Sequence, residues 1–427
     1  MRTALAVLAG RLVRVLARAR GGGSAMPGRV ALLIAPRFLG RAVERLPLGV
    51  VFVSGSNGKS TTTHMLVRVL RAHGVRVFTN PSGANLPQGV ASALLAEAPL
   101  SGRLDADIAV LEVDEAYGPR LASVLQPHSV LLVNVQVDQL NRFHEPDRVV
   151  RMLAAIAEKA TRHLVVNGDD HNLVRLAAGA RGGAALAAFR LDPSLLADSP
   201  WLARGDNPAL ADRGAASTLP DTIRVTESSG ATATLVVDEA PLSVVLPARG
   251  LHYAADAAAA VAMAHELLGD RFRPAEAATG LASMQAVYGR GEVLRAGPGA
   301  DAEQIELLMM KNPPSLQVNL DAIAEPPEQL FVAVDEGTPD PSWIYGTDFA
   351  AIDHVDVLTG TKCWQLATRF AYGDIPVASV EPDLTRALAA FLALPTPAHG
   401  RKTILVNYEQ MMLIRRQLGH LELEGAA

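Results

Sequence analysis

Short apolar runs alternate along much of this chain with longer stretches in which hydrophobic side chains recur every third or fourth residue. An uninterrupted short run suits a strand buried on both faces, and a period near 3.6 suits a helix lying on a sheet. On this ground residues 48–53, 108–113, 129–133 and 163–166 are predicted strands. Residues 61–73 are predicted helical from Met65, Leu66, Val69 and Leu70, with Gly74 as the C-terminal stop, and residues 146–160 form a further predicted helix. Strand and helix in alternation predict a doubly wound, mostly parallel α/β sheet.

The rhythm changes over residues 177–245, which are rich in Ala, Gly, Asp and Pro before two strand-like runs at 222–226 and 233–237. A β-rich insert is expected there. An alanine-rich helix over 254–268 then closes the central domain, and Gly289-Arg290-Gly291 reads as the hinge into a second, smaller α/β domain. The expected layout is a helical lead-in over 1–46, a central domain over 47–290 and a C-terminal domain over 291–427. At the N-terminus Arg11, Arg14, Arg18 and Arg20 interrupt Leu5, Leu8, Leu12, Val15 and Leu16, so no membrane-spanning length survives. The pattern is that of an amphipathic helix, either packed on the first domain or resting on an anionic membrane surface.

A chain of 427 residues with 49% hydrophobic content is too large for one compact core, which agrees with a division into domains. The formal net charge of -5 gives no general electrostatic reason to bind nucleic acid. The single cysteine, Cys363, excludes an internal disulfide and a cysteine-ligated zinc site, and a reducing cytoplasm fits. Thr361-Lys362-Cys363-Trp364 carries no paired histidine motif, so Cys363 reads as packing rather than as a nucleophile.

Chemistry enters at Gly55-Ser56-Asn57-Gly58-Lys59-Ser60-Thr61-Thr62, between the first strand and the first long helix. Successive backbone N–H groups at a helix N-terminus can wrap phosphate oxygens, Lys59 neutralises charge, and the Ser60 hydroxyl suits Mg²⁺. The general G-x-x-x-x-G-K-[ST] loop would place its first glycine where Val53 stands, so Gly55 opens a shorter variant. The run from Val53 to Thr62 resembles the G-T-N-G-K-[TS]-T signature of Mur ligases and folylpolyglutamate synthases. That resemblance implies a Mur ligase-like central domain, ATP, Mg²⁺ and an acyl-phosphate intermediate, with Asn57 at the phosphates.

Other segments resemble the MurT type within that superfamily. They are Gly21-Gly22-Gly23-Ser24-Ala25-Met26-Pro27-Gly28, Asn80-Pro81-Ser82-Gly83-Ala84-Asn85-Leu86, Glu112-Val113-Asp114-Glu115, Asp138-Gln139-Leu140-Asn141-Arg142, Lys311-Asn312-Pro313 and Asp340-Pro341-Ser342-Trp343-Ile344-Tyr345. The resemblance implies that Glu112, Ser60 and Gln139 hold Mg²⁺, that Arg290 meets the nucleotide, and that Asp256, in Gly250-Leu251-His252-Tyr253-Ala254-Ala255-Asp256, lies at the adenine. It also implies a separate GatD-type glutaminase whose cysteine–histidine pair is completed by Asp340, with Asp335 and Asp348 as second choices. The implied reaction is amidation of the α-carboxylate of D-glutamate in a lipid-linked muropeptide, at the cytoplasmic face of the membrane. Two features depart from the family: residues 177–245 have no cysteines for its zinc ribbon, so no zinc is expected, and Gly346 stands where an aspartate is common. A stand-alone ligase of the folylpolyglutamate kind and a non-catalytic nucleotide-binding scaffold are the competing readings.

Overall fold

The computed structural model describes residues 2–19, 25–80, 85–136, 146–180, 182–198, 219–285, 289–297, 302–338, 340–398 and 401–420. Three helices lead in: α1 (Arg2–Ala19), α2 (Met26–Ile34) and α3 (Phe38–Val43). The first sheet and its helices follow as β1 (Gly49–Ser54), α4 (Lys59–Ala72), β2 (Val77–Thr79), α5 (Pro87–Glu97), β3 (Ile108–Glu112), α6 (Gly118–Leu125), β4 (Ser129–Leu132), α7 (Pro146–Ala157), β5 (His163–Asn167), α8 (His171–Gly179), β6 (Ala185–Leu191), α9 (Pro193–Asp198), β7 (Asp221–Ser229), β8 (Thr232–Val237), β9 (Ala240–Val245), α10 (Leu251–Leu268) and α11 (Pro274–Ala282).

The nine strands are ordered β2-β3-β1-β4-β5-β6-β7-β8-β9. Pairing is parallel from β2 through to β7 and antiparallel across β7, β8 and β9. Side chains alternate between faces along β1. Val51 and Val53 join the core under α4, α10 and α11, while Val50 and Phe52 join the core with Leu94, Leu121 and Leu153 of α5, α6 and α7. Burial on both faces is why the strand reads as an unbroken apolar run. Alanine dominates α10 because it lies between the sheet and α4, with Ala257 to Ala260 fully buried. The strands expected over residues 177–245 are present as β7 and β8, together with β6 and β9. They form the edge of the same sheet rather than a body of their own.

The second sheet contains β10 (Arg290–Ala296), β11 (Glu303–Met309), β12 (Leu330–Ala333), β13 (Val355–Thr359), β14 (Val377–Val380) and β15 (Lys402–Val406). Their order is β10-β11-β15-β12-β13-β14, with only β10 antiparallel. Helices α12 (Pro313–Asp321) and α13 (Cys363–Tyr372) pack on one face, α14 (Leu384–Leu392) and α15 (Tyr408–Gln417) on the other. Gly289 and Gly291, both at positive φ, flank the start of β10, and a bulge falls between Arg290 and Glu292. A side chain at Gly289 would run into Met411 of α15.

In the lead-in, α1 packs on α2 and α5, but not through its leucines. Thr3, Ala6 and Val7 are buried, and a Cβ on Gly10 would lie 2.5 Å from Leu95. The stripe Leu5, Leu8, Leu12, Val15 and Leu16 faces solvent.

Candidate active site

In the first sheet β1 lies between β3 and β4, so chain order reverses on either side of it. The crevice beyond the carboxyl ends of strands at such a switch point is where open α/β sheets bind ligands. Registers Val53↔Glu112 and Ser54↔Leu132 place three strand ends side by side there.

The loop after β1 turns into α4 at Gly58, which is left-handed at φ 80. A Cβ at Gly58 would collide with the Asp256 carboxylate, so glycine is required for both conformation and space. The loop is braced from β4. Asn57 N–H donates to Asn134 Oδ1 at 2.9 Å, Asn134 Nδ2 donates back to Asn57 O at 3.0 Å, and Gln136 N–H donates to Ser56 Oγ at 2.9 Å. The Asn57 amide itself donates to Gln136 Oε1 at 2.7 Å. Asn134 and Gln136 carry no recognisable motif, and their role appears only once β4 is set beside the loop.

Lys59 is buried, and its Nζ donates to Glu115 Oε2 at 3.0 Å, to Ser56 O at 3.1 Å and to Gly55 O. Glu115 is 1% exposed. In the sequence Glu115 ends the segment Glu112-Val113-Asp114-Glu115, and nothing in that segment marks it as a partner of Lys59. Ser60, Thr61, Glu112 and Asp114 line the same cleft. Asn80 fixes the end of β3 by accepting from Glu112 N–H at 2.9 Å and donating to Glu112 O at 3.0 Å. Among the described residues the Glu112 carboxylate has no cationic partner, although it is only 6% exposed. A buried carboxylate and a serine hydroxyl in one cleft form a hard oxygen donor set that suits Mg²⁺.

Asp256 lies beneath the loop, accepting from Thr62 Oγ1 at 3.0 Å, so it sits at the phosphate end of the cleft. Position Gln139 lies outside the described residues, as do the middle residues 81–84 of the asparagine-rich segment. Arg290 opens β10, and its side chain also lies outside the description.

The second domain forms the other wall. Lys311, Ser315, Asn319 and Tyr408 border a cleft of about 370 Å³, with His252 and Asn85 on the first-domain side. Asn312 caps α12 in a reciprocal box with Ser315, and its Nδ2 donates to Asn57 Oδ1 at 3.0 Å. The phosphate loop and the second domain are therefore hydrogen-bonded directly.

Behind the β4 exit, Asp170 caps α8 by accepting from Asn172 and Leu173 N–H, and its other oxygen accepts from Val135 N–H at 2.6 Å. Burial pushes Asp170 and its neighbour Asp169 up to about 6.

Asp340 is exposed, apart from the cleft, and accepts from Ser342 N–H at 2.9 Å. The Ser342 backbone N–H, and then its hydroxyl, hold the Asp340 carboxyl below the usual range. Exposed Tyr345, Trp364 and Tyr372 lie on the two segments joined by Arg369, which donates to Ile344 O and Thr347 O. Asp335 is instead committed inward, accepting from Asn407 and Gln410 at 2.8 Å each. Asp348 is exposed and accepts from Ala350 N–H. Cys363 is buried, and burial raises its thiol above the ordinary value.

The Mur ligase middle domain family matches residues 53–187. The MurT subunit of the glutamine-hydrolyzing lipid II isoglutaminyl synthase of Streptococcus pneumoniae is 28% identical over 383 residues, covering 84% of this chain and 83% of that protein. Among solved structures, MurF from Acinetobacter baumannii superposes with a TM-score of 0.67 at 20% identity, covering 92% of this chain and 79% of that one. Folylpolyglutamate synthase of Mycobacterium tuberculosis, complexed with ADP, superposes with a TM-score of 0.63 at 16% identity, covering 91% and 95%. The two structural likenesses establish the fold.

Proposed function

The chain is a MurT-like member of the Mur ligase family, and from that premise we propose that it is the ligase subunit of a glutamine-dependent lipid II isoglutaminyl synthase. The reaction begins with ATP in the cleft. Backbone N–H groups of the loop and the start of α4 receive its phosphates, and Lys59 exchanges part of its contact with Glu115 for phosphate oxygen. Mg²⁺, held by Ser60, Glu112 and Gln139, would neutralise charge on the phosphates. The α-carboxylate of D-glutamate in the muropeptide attacks the γ-phosphorus, giving an acyl phosphate and ADP. Ammonia then attacks the acyl carbon, phosphate leaves, and a proton is released as the amide of D-isoglutamine forms. Lys311 reaches the cleft from the second domain, which walls off water that would hydrolyse the intermediate.

One observation carries this reading: a cleft holds Lys59, Ser60 and Glu112 against a second-domain lysine, Lys311. Placement of Asp256 under the loop supports its role as a brace for the phosphate site, and Arg290 is proposed to meet nucleotide from the hinge. Ammonia comes from a partner glutaminase. The buried thiol of Cys363 has no place in that step, whereas Asp340 is exposed, ionised and close in sequence to exposed Tyr345. Such a surface suits a partner whose catalytic histidine needs an orienting carboxylate. The substrate is lipid-linked, which places the enzyme at the inner face of the membrane.

The test is co-expression with a glutaminase encoded beside this chain, followed by ATP, glutamine and D-glutamate-containing lipid II. Mass spectrometry is expected to show one carboxylate replaced by one amide. Lys59→Ala should lower ADP release by about a hundredfold or more. Unchanged lipid II, with ADP released only when a free amino acid is added, would overturn the proposal in favour of a stand-alone ligase.

A further inference from the structure

The leucines of α1, together with Val15, point away from the protein. Leu5, Leu8, Leu12, Val15 and Leu16 are between 47% and 65% exposed, and they recur at the spacing that forms one face of a helix. Their orientation is fixed from the opposite side. Gly10 is pressed against Leu95 of α5, and the Arg11 guanidinium donates to Leu95 O at 3.0 Å and Ala98 O at 2.7 Å. Rotating α1 to bury the leucines would break both bonds and drive bulk into a contact that admits no Cβ. Helix α2 is held on α5 in the same way: a Cβ at Gly28 would strike the Gln88 carbonyl, and Gly28 N–H donates to Ser92 Oγ at 2.8 Å. It leaves Met26 and Leu33 exposed.

Charge narrows what such a face fits. Residues 1–46 contain nine arginines and a single carboxylate, Glu44, in a chain whose net charge is -5. Arg2, Arg29 and Arg37 are exposed. Among the described residues no helix is long and apolar enough to cross a membrane. The 18 residues of α1 span about 27 Å, enough to lie along a surface.

We propose that α1 and α2 dock this protein on an anionic bilayer, with the leucine stripe of α1 in the headgroup–acyl boundary and the surrounding arginines against lipid phosphates. A bilayer offers apolar depth and negative charge all round the stripe without demanding a matched register, and one-signed arginine around leucine meets both. A folded protein partner would need an apolar groove ringed by acidic groups alone. The inference extends the proposed location, but its test requires no turnover, so its failure leaves the ligase reading standing.

Flotation of the full chain with phosphatidylcholine vesicles, with and without phosphatidylglycerol, tests it. The parent is expected to float with the anionic vesicles and far less with the zwitterionic ones. Leu8→Glu with Leu12→Glu should weaken partition by about tenfold or more per leucine. Arg2→Glu with Arg29→Glu should weaken it by about fivefold per arginine. All four side chains lie on the exposed side of their helices, so thermal melting should match the parent; the arginine pair leaves the leucines intact and gives an independent reading. A parent that stays unbound to both vesicles overturns the proposal. So does a leucine variant that floats as well as the parent, or one whose only change is loss of self-association or of the glutaminase complex.

Discussion

Lys59 is held in the cleft by the Glu115 carboxylate, with which a nucleotide phosphate would compete. Both partners are buried, and removing one member of such a pair leaves an uncompensated charge. Glu115→Gln should therefore lower the stability of the nucleotide-free protein by about 3 kcal/mol. Glu115 then no longer competes with phosphate for Lys59, so the rise in melting temperature on adding Mg-ATP should be larger in the variant than in the parent. Equal rises in the two would show that Glu115 does not compete with phosphate. Lys59 and Ser60 were legible in the sequence because their roles follow from adjacency in one loop. Glu115 was not, since its partner lies 56 positions away and only the β1–β3 pairing brings them together.

At the scale of elements, two neighbouring acids tie strand ends in place: buried Asp170 holds the β4 exit through Val135 N–H, and half-buried Asp169 holds β6 through Leu191 N–H. Asp169 and Asp170 have folded values of about 6, above their ordinary 3.8, with burial as the main cause. A raised acid favours folding in its protonated form: the contribution is complete below pH 3.8 and lost as pH rises through about 6. Asp170 is a poor probe because its two oxygens serve three backbone donors. Among the described residues Asp169 accepts only from Leu191 N–H, and it lies 3.8 Å from Arg190, so asparagine can keep its hydrogen bond. Asp169→Asn should match the parent at about pH 4 and exceed it at pH 7 by about 2 kcal/mol in urea unfolding. A constant difference across that range would refute the assignment. Strands such as Gly49–Ser54 were legible because both faces are buried, but Ala185–Leu191 was missed: its alanines match β propensity poorly, and its place comes from pairing with β5. The leucine stripe of α1 was legible as amphipathic. Which face packs was not, because close approach at Gly10 decides it and hydrophobicity does not.

At the scale of the whole molecule, the proposed scheme gives two surfaces of the C-terminal domain separate tasks, and two substitutions test that division. The Asn312–Asn57 bond joins that domain to the phosphate loop, so Asn312→Ala should loosen the closed cleft and reduce kcat/KM for ATP about fivefold, the value of one hydrogen bond of about 1 kcal/mol. That loss should be the same whether ammonia or glutamine supplies nitrogen, because in the proposed scheme both routes need the acyl phosphate. Asp340 lies apart from the cleft and has no role in forming the acyl phosphate in the proposed scheme. If its carboxylate orients the partner's histidine, Asp340→Asn preserves the shape of the turn and its bond from Ser342 while removing the charge. Loss of the orienting carboxylate in a nucleophile–histidine pair costs roughly 10³–10⁴ in rate. The expected result is a loss of that order in glutamine-driven amidation, with ammonia-driven amidation and ADP release unchanged and the two chains still co-eluting. Equal loss from both nitrogen sources would move Asp340 into the ligase reaction. Full retention of both would leave it as the turn residue that its Ser342 bond already makes it.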